Sequence, residues 1–284
     1  MVRMLLKKYL PHRVIKVSKL AFYEIDKLTS RALSQSFFLS NLFYAVSRKF
    51  TREHRAVLAG KSRYHQYNRN LGNSSALMRR NTHRLEKGLI MRPRRTVFAE
   101  SYIADTVDIF ARSINVVGFD IGEQKWAHDV LEKYFSCVDD TPIIALARST
   151  FEECTLKFEA VEKFIPYQWS AMPNSEVSYA QLENLFARRR SVRWYQDKLV
   201  SRELIYKSVR LAATAPSACN RQPYQFYICD SKDRVVEIAK CAGGTPGWAT
   251  GIPCIAVIVG DLSCYASEQD RHAIYVDGSL AAMQ

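Results

Sequence analysis

Two short segments hold the residue types best suited to a charged, ring-bearing ligand. The first is Arg188-Arg189-Arg190-Ser191-Val192-Arg193. Its guanidinium forks and hydroxyl suit phosphate oxygens. The second is Ala215-Pro216-Ser217-Ala218-Cys219-Asn220-Arg221-Gln222-Pro223. It sets a hydroxyl and two side-chain amides between prolines, and Asn220 and Gln222 each carry a donor and an acceptor that can read a heteroaromatic edge. Taken singly, each has an ordinary role: a basic run complements the dipole at a helix end, and the Pro-Ser-Ala-Cys-Asn stretch caps the next element. The pairing favours the ligand.

Other strings promise less chemistry. His83-Arg84-Leu85-Glu86-Lys87-Gly88 has no second histidine at helical spacing for a metal. A helix face with Glu86 pairing a neighbouring arginine is expected. Asp139-Asp140 reads as a solvated turn. Gly243-Gly244-Thr245-Pro246-Gly247 has neither a P-loop lysine nor dinucleotide spacing, and reads as a helix C-cap and loop. Cys219 has no partner histidine that the sequence places beside it. The seven cysteines are odd in number and form no CxxC pair, so a disulfide framework or zinc site is not expected and a reducing cytoplasm is.

The elements that must position the two segments follow from periodicity. Ser178 with Gln181 is a capping-box signature before Leu182, Leu185 and Phe186. Ser201 can cap a second helix that Pro216 ends. Tyr224–Cys229 (YQFYIC) reads as a strand. Ser231 can cap a third helix stopping at Gly243-Gly244. Ile255–Gly260 (IAVIVG) reads as a fully buried central strand, and a last helix starts near Glu268. Upstream, residues 1–50 read as helical with an early break at Pro11, and 99–116, 123–137 and 143–164 as amphipathic helices. The pattern changes at Tyr167–Ser175, so the chain divides into a basic, mainly helical region, 1–172, and a sheet-bearing domain, 173–284. The helix reaching Gln284 carries no Gly or Asn cap, and two strands do not make a self-sufficient sheet. The sheet domain is therefore expected to be incomplete, through strands from another chain or truncation.

The second domain resembles the nitroreductase family of flavoproteins. The resemblance rests on RRSVR at Arg189–Arg193 and APSACNRQP at Ala215–Pro223, with the apolar strand 255–260 and the helix DGSLAAMQ at Asp277–Gln284. It covers about Val177–Gln284, and the first 170 residues resemble no part of that fold. The resemblance implies an α+β fold, a nitroreductase-like sheet flanked by helices, and FMN bound between two subunits of a homodimer. It implies that Arg189, Ser191 and Arg193, with Arg190 in the same segment, contact the FMN phosphate, ribityl or ring edge. Ser217, Asn220 and Gln222 would belong to the loop beside the isoalloxazine ring. NADH or NADPH would be the electron donor, and a nitro compound, quinone or similar small molecule the acceptor. The flavin carries that chemistry, so no catalytic side chain is assigned.

Composition bounds the rest. The 284 residues are 48% hydrophobic and 24% charged, which is ordinary globular composition. The net charge is 41 − 28 = +13, and it is local. Residues 1–100 carry 22 basic and 5 acidic side chains, a net +17, whereas 101–200 carry 11 and 15, and 201–284 carry 8 and 8. The favoured reading of this basic third is a solvated or partner-facing helical surface. The sharper alternative is an anionic membrane surface, since Leu5, Tyr9, Leu10, Leu20 and Phe22 interleave with the charges. Nucleic acid ranks third, for lack of a recognised motif. No apolar run nears the ~20 residues that cross a bilayer; the longest are Ser36–Val46, broken by Ser40 and Asn41, and Ile255–Gly260. The expected location is cytoplasmic or peripheral at a membrane. The reading is an FMN-dependent oxidoreductase. The rival is a non-catalytic, membrane- or partner-binding helical protein with a vestigial flavin domain.

Overall fold

The computed structural model describes residues 12–154, 158 and 162–284. The chain forms two compact units, one ending at Leu58 and the other running from Ala59 to Gln284. In the first, α1 (His12–Leu33) and α2 (Phe37–Ser47) are joined by a short turn. Ser36 caps α2 by accepting from the Leu39 amide, and Arg48 closes it in the left-handed conformation. Thr51–Arg69 form α3. Leu5, Tyr9, Leu10 and Pro11 lie outside the described residues.

The second unit owes its main core to helices. These are α4 (Ala76–Ile90), α5 (Ile103–Ile114), α6 (Ile121–Phe135) and α7 (Pro142–Glu152). Met78, Leu85, Ile103, Phe110, Leu131, Tyr134 and Ile144 have no exposed surface and belong to one cluster. The Tyr134 hydroxyl avoids an unpaired burial by donating to the Phe98 carbonyl at 2.7 Å. Side-chain oxygens of Ser75, Asp120 and Thr141 cap α4, α6 and α7.

Against the expected 143–164, α7 stops at Glu152. Residues 162–164 lie against α6. The Phe164 amide donates to Asp129, and Lys125 reaches the Glu162 carbonyl. The committed Phe164 amide excludes helical pairing at 164 itself. The expected Glu86–arginine pair is also replaced. Glu86 accepts from the Trp126 indole at 2.8 Å and lies 3.4 Å from His83.

The remaining elements are α8 (Tyr179–Arg188), α9 (Arg202–Ala212), β1 (Tyr224–Cys229), α10 (Lys232–Cys241), β2 (Ile255–Gly260) and α11 (Ala273–Met283). Ser178 and Gln181 make the full capping box of α8. Ser231 precedes α10 without a side-chain cap bond. The final helix is preceded by a separate 3-10 turn at Glu268–Asp270 and starts later than the sequence suggests. The strands pair antiparallel, Tyr224 opposite Gly260 and Cys229 opposite Ile255. Among the described residues they form a two-stranded sheet. This corrects the expectation for β2: Ala256 and Val259 are exposed. An apolar run is central only when neighbouring strands and layers cover both of its faces. The architecture is α+β, with a helix-rich body.

Close backbone approach ties the parts of this unit together. Gly60 of α3 is buried, and a Cβ there would lie 2.6 Å from the Leu262 Cβ, so only glycine lets α3 meet the turn after β2. Lys61 pairs with Glu268 at 2.9 Å beside it. Among the described residues no helix is long and apolar enough to cross a membrane.

Candidate functional site

The loop between α9 and β1 is held by a buried carboxylate. Asp277, at 3% exposure in α11, accepts from the Ser217 hydroxyl at 2.7 Å and from the Ala218 amide at 2.9 Å. The Ser217 oxygen in turn accepts from the Gln222 amide at 2.7 Å. Within this clasp, Cys219, Asn220 and Gln222 all have positive φ, at 54°, 50° and 47°. Three non-glycine residues in that region cost about 1–3 kcal/mol each unless the surroundings over-determine them. Asp277 is one such determinant. Asn220 tolerates the geometry best, and its side-chain amide has no hydrogen-bond partner among the described residues.

Gln222 is engaged at both ends. Its Nε2 donates to the Ala213 carbonyl at 2.8 Å, and its Oε1 accepts from Arg79 Nη1 at 3.1 Å. Arg79 comes from α4, and its Nε donates to Glu123 of α6 at 2.7 Å. Glu123, its side chain 1% exposed, also accepts from the Ser74 hydroxyl and the Ser75 amide. The helical core thus reaches the loop through a charge-assisted relay, Glu123 to Arg79 to Gln222. Arg221 lies on the other side. Its guanidinium sits 4.8 Å over the Tyr265 ring and 3.5 Å from Asp270, while its buried Nε has no partner among the described residues.

Beside the loop lies an open cleft of about 580 Å³, whose lining includes Arg79, Arg221, Gln222, Tyr224, Asp261 and Cys264. Burial raises the Tyr224 phenol above its usual value; the Asp277 charge adds to this and Arg79 opposes it. The Tyr224 hydroxyl is buried and has no hydrogen-bond partner among the described residues. Burial, reinforced by Asp261, pushes the Cys264 thiol up to about 12 against the pull of Arg79 and Arg221. Burial likewise raises Tyr265. These three groups keep their protons near neutral pH, beside the fixed cationic guanidinium groups of Arg79 and Arg221.

The basic segment is built differently. Residues 189–200 are exposed throughout. Arg190 donates to the Arg189 carbonyl and Arg193 to the Ser191 carbonyl. Arg188, Arg189, Arg190 and Arg193 have no carboxylate partner among the described residues, and no hydrogen bond or ion pair joins 189–193 to 217–222. Four uncompensated guanidinium groups and the Ser191 hydroxyl suit a phosphate. One chain's described contacts do not unite the two segments. Residues 186–246 match the model of the Nitroreductase family. The match takes in both segments, and it is a partial span of the chain. No curated protein and no solved structure matches the chain. Of the anchors of the nitroreductase-like loop, Asp277 had a signal in the sequence: it is the single charged residue of an otherwise uncharged helix. Arg79 and Glu123 had none, because they lie 143 and 99 positions from Gln222 and only folding brings them near.

Proposed function

We propose that the chain is an FMN-dependent oxidoreductase of nitroreductase type, within a nitroreductase fold, passing electrons from NADH or NADPH to a nitro, quinone or similar acceptor. The observation that carries this is the family match over 186–246, which spans the arginine segment and the Ser217–Gln222 loop together. The residues fit the cofactor's chemistry. The unpaired guanidinium groups of Arg189, Arg190 and Arg193, with the Ser191 hydroxyl, would hold the phosphate or ribityl. The free amide of Asn220 would meet the ring edge. Ser217 and Gln222 would act through the loop, which Asp277 and Arg79 hold rigid. Bound FMN would supply the two-electron transfer. The resemblance adds a homodimer to this reading, with FMN lying between the two subunits.

Titration of the purified chain with FMN tests it, followed by absorbance and by quenching of flavin fluorescence. Binding is expected, and Arg189→Ala with Ser191→Ala should weaken it by about 1.5–3 kcal/mol for each charge-assisted bond lost. NAD(P)H oxidation with a quinone acceptor is the second readout. An absence of flavin binding overturns the reading and leaves its rival, a non-catalytic helical protein acting at a surface, which draws on the exposed apolar helices of the first unit.

A further inference from the structure

The first compact unit carries an apolar surface with no function in the flavin reading. All eleven residues of α2 (FFLSNLFYAVS) are uncharged and none is buried. Phe37 is 87% exposed, Phe38 73% and Val46 75%, with Leu42 at 50% between them. Phe38, Leu42 and Val46 follow one another at steps of four and form a single stripe. Ring contacts hold other residues of α2. Phe43 meets Tyr44 at 5.2 Å, Tyr44 meets Phe50 at 4.7 Å, and Lys49 sits 5.3 Å over Phe43. Phe38, Leu42 and Val46 take no part in these contacts and stay exposed.

The neighbouring helix continues the pattern. On α1, Val14, Val17, Ala21, Ile25 and Leu28 recur at steps of three and four, and all are exposed. Lys27 and Arg31 accompany them, and Arg48, Lys49, Arg52 and Arg55 follow α2 directly. From 12 to 58 the chain holds 9 basic and 3 acidic side chains, a net +6. Helices of this kind lie in a membrane interface, apolar side down and cations at the headgroups. At 1.5 Å per residue α2 is about 16 Å long, half the ~30 Å hydrocarbon layer, so it can dip into one leaflet but not span.

We infer that α1 and α2 dock the protein on an anionic lipid surface, with the Phe37–Phe38 end of α2 inserted among the acyl chains. The charge decides for lipid over a second copy of the chain. Two copies of a net +6 unit repel each other, whereas anionic headgroups attract it, at roughly fivefold in affinity per lysine or arginine near the surface.

Co-sedimentation of the full chain with phosphatidylcholine vesicles, with and without phosphatidylglycerol, tests this. Binding to the anionic vesicles should exceed neutral binding on the order of tenfold or more and weaken with added salt. Phe37→Ser with Phe38→Ser should lower it by on the order of tenfold or more, while circular dichroism and the unfolding midpoint hold. Arg52→Gln with Arg55→Gln leaves the apolar stripe intact and should reduce the anionic preference, which tests the proposal independently of the phenylalanines. Equal binding to both vesicle types overturns it, as does binding to neither. So does anionic binding that survives both double variants unchanged. Self-association of the chain that the phenylalanine pair abolishes, with no vesicle binding, overturns it in favour of a contact between copies. None of these readouts involves flavin.

Discussion

Asp277 is the residue on which the candidate site turns. It is buried, it serves two donors, and it holds a loop with three residues at positive φ. Asp277→Asn removes the charge from both bonds and should cost about 1.5–3 kcal/mol, read as a lower urea midpoint. Arg79 is the second such residue. Arg79→Ala would leave Glu123 buried without its cation, at about 3–5 kcal/mol. Arg79→Lys should recover part of that stability but not the second bond to Gln222, because a lysine lacks the fork. Cys264 adds a chemical probe. Its thiol is held up at about 12 by burial first and by Asp261 second, so near neutral pH it should react with iodoacetamide far more slowly than the exposed Cys241. The sign for stability follows. In the unfolded chain the thiol ionises from about 9.0, while in the folded chain it stays neutral until about 12. Its contribution is complete below 9 and is lost as pH rises across that interval.

At the scale of elements, the two flanks of the candidate site differ in what holds them. The α8 helix has no buried residue, so its capping box is its main local support. Ser178→Ala should cost that helix about 1 kcal/mol, seen as faster amide exchange over Leu182–Arg188 with the global unfolding midpoint unchanged. The segment 162–164 is anchored the opposite way, by one carboxylate. Asp129 is buried, which by itself raises its pKa. Its bonds from Lys125, the Phe164 amide and His128 outweigh that and hold it below 3.8. The stabilisation is therefore present above 3.8 and lost as pH falls through the folded value. Asp129→Asn should release the segment at neutral pH, measured as faster proteolytic cleavage near 162–172.

Across the whole molecule, burial is unequal. The cluster around Leu85, Phe110 and Tyr134 joins four helices, whereas the sheet-bearing half holds two small clusters, around Val235 and around Ala212 and Ala281. Leu85→Ala should cost about 2–5 kcal/mol. Hydrogen exchange should rank α4–α7 as the most protected elements and β1, β2 and α11 well below them. A ligand that binds the folded loop would narrow that gap by mass action, so FMN should raise protection in the weaker half first.

Local chemistry was legible in the sequence. Both strands, 224–229 and 255–260, and the capping box at Ser178–Gln181 follow from side-chain type and spacing within a few residues, because each is made by groups that are neighbours along the chain. The two arginine- and amide-bearing segments were legible for the same reason. What folding alone decided involves residues far apart in sequence. The pairing of β2 with β1, and so its half-exposed state, depended on which layers cover it. The anchoring of Phe164 depended on Asp129 of α6. The anchoring of Gln222 depended on Arg79 and Glu123, and that of Ser217 on Asp277. Periodicity and capping report the forces acting within a turn or two. Burial, and the partner that a buried charge finds there, are set by the packing of the whole unit.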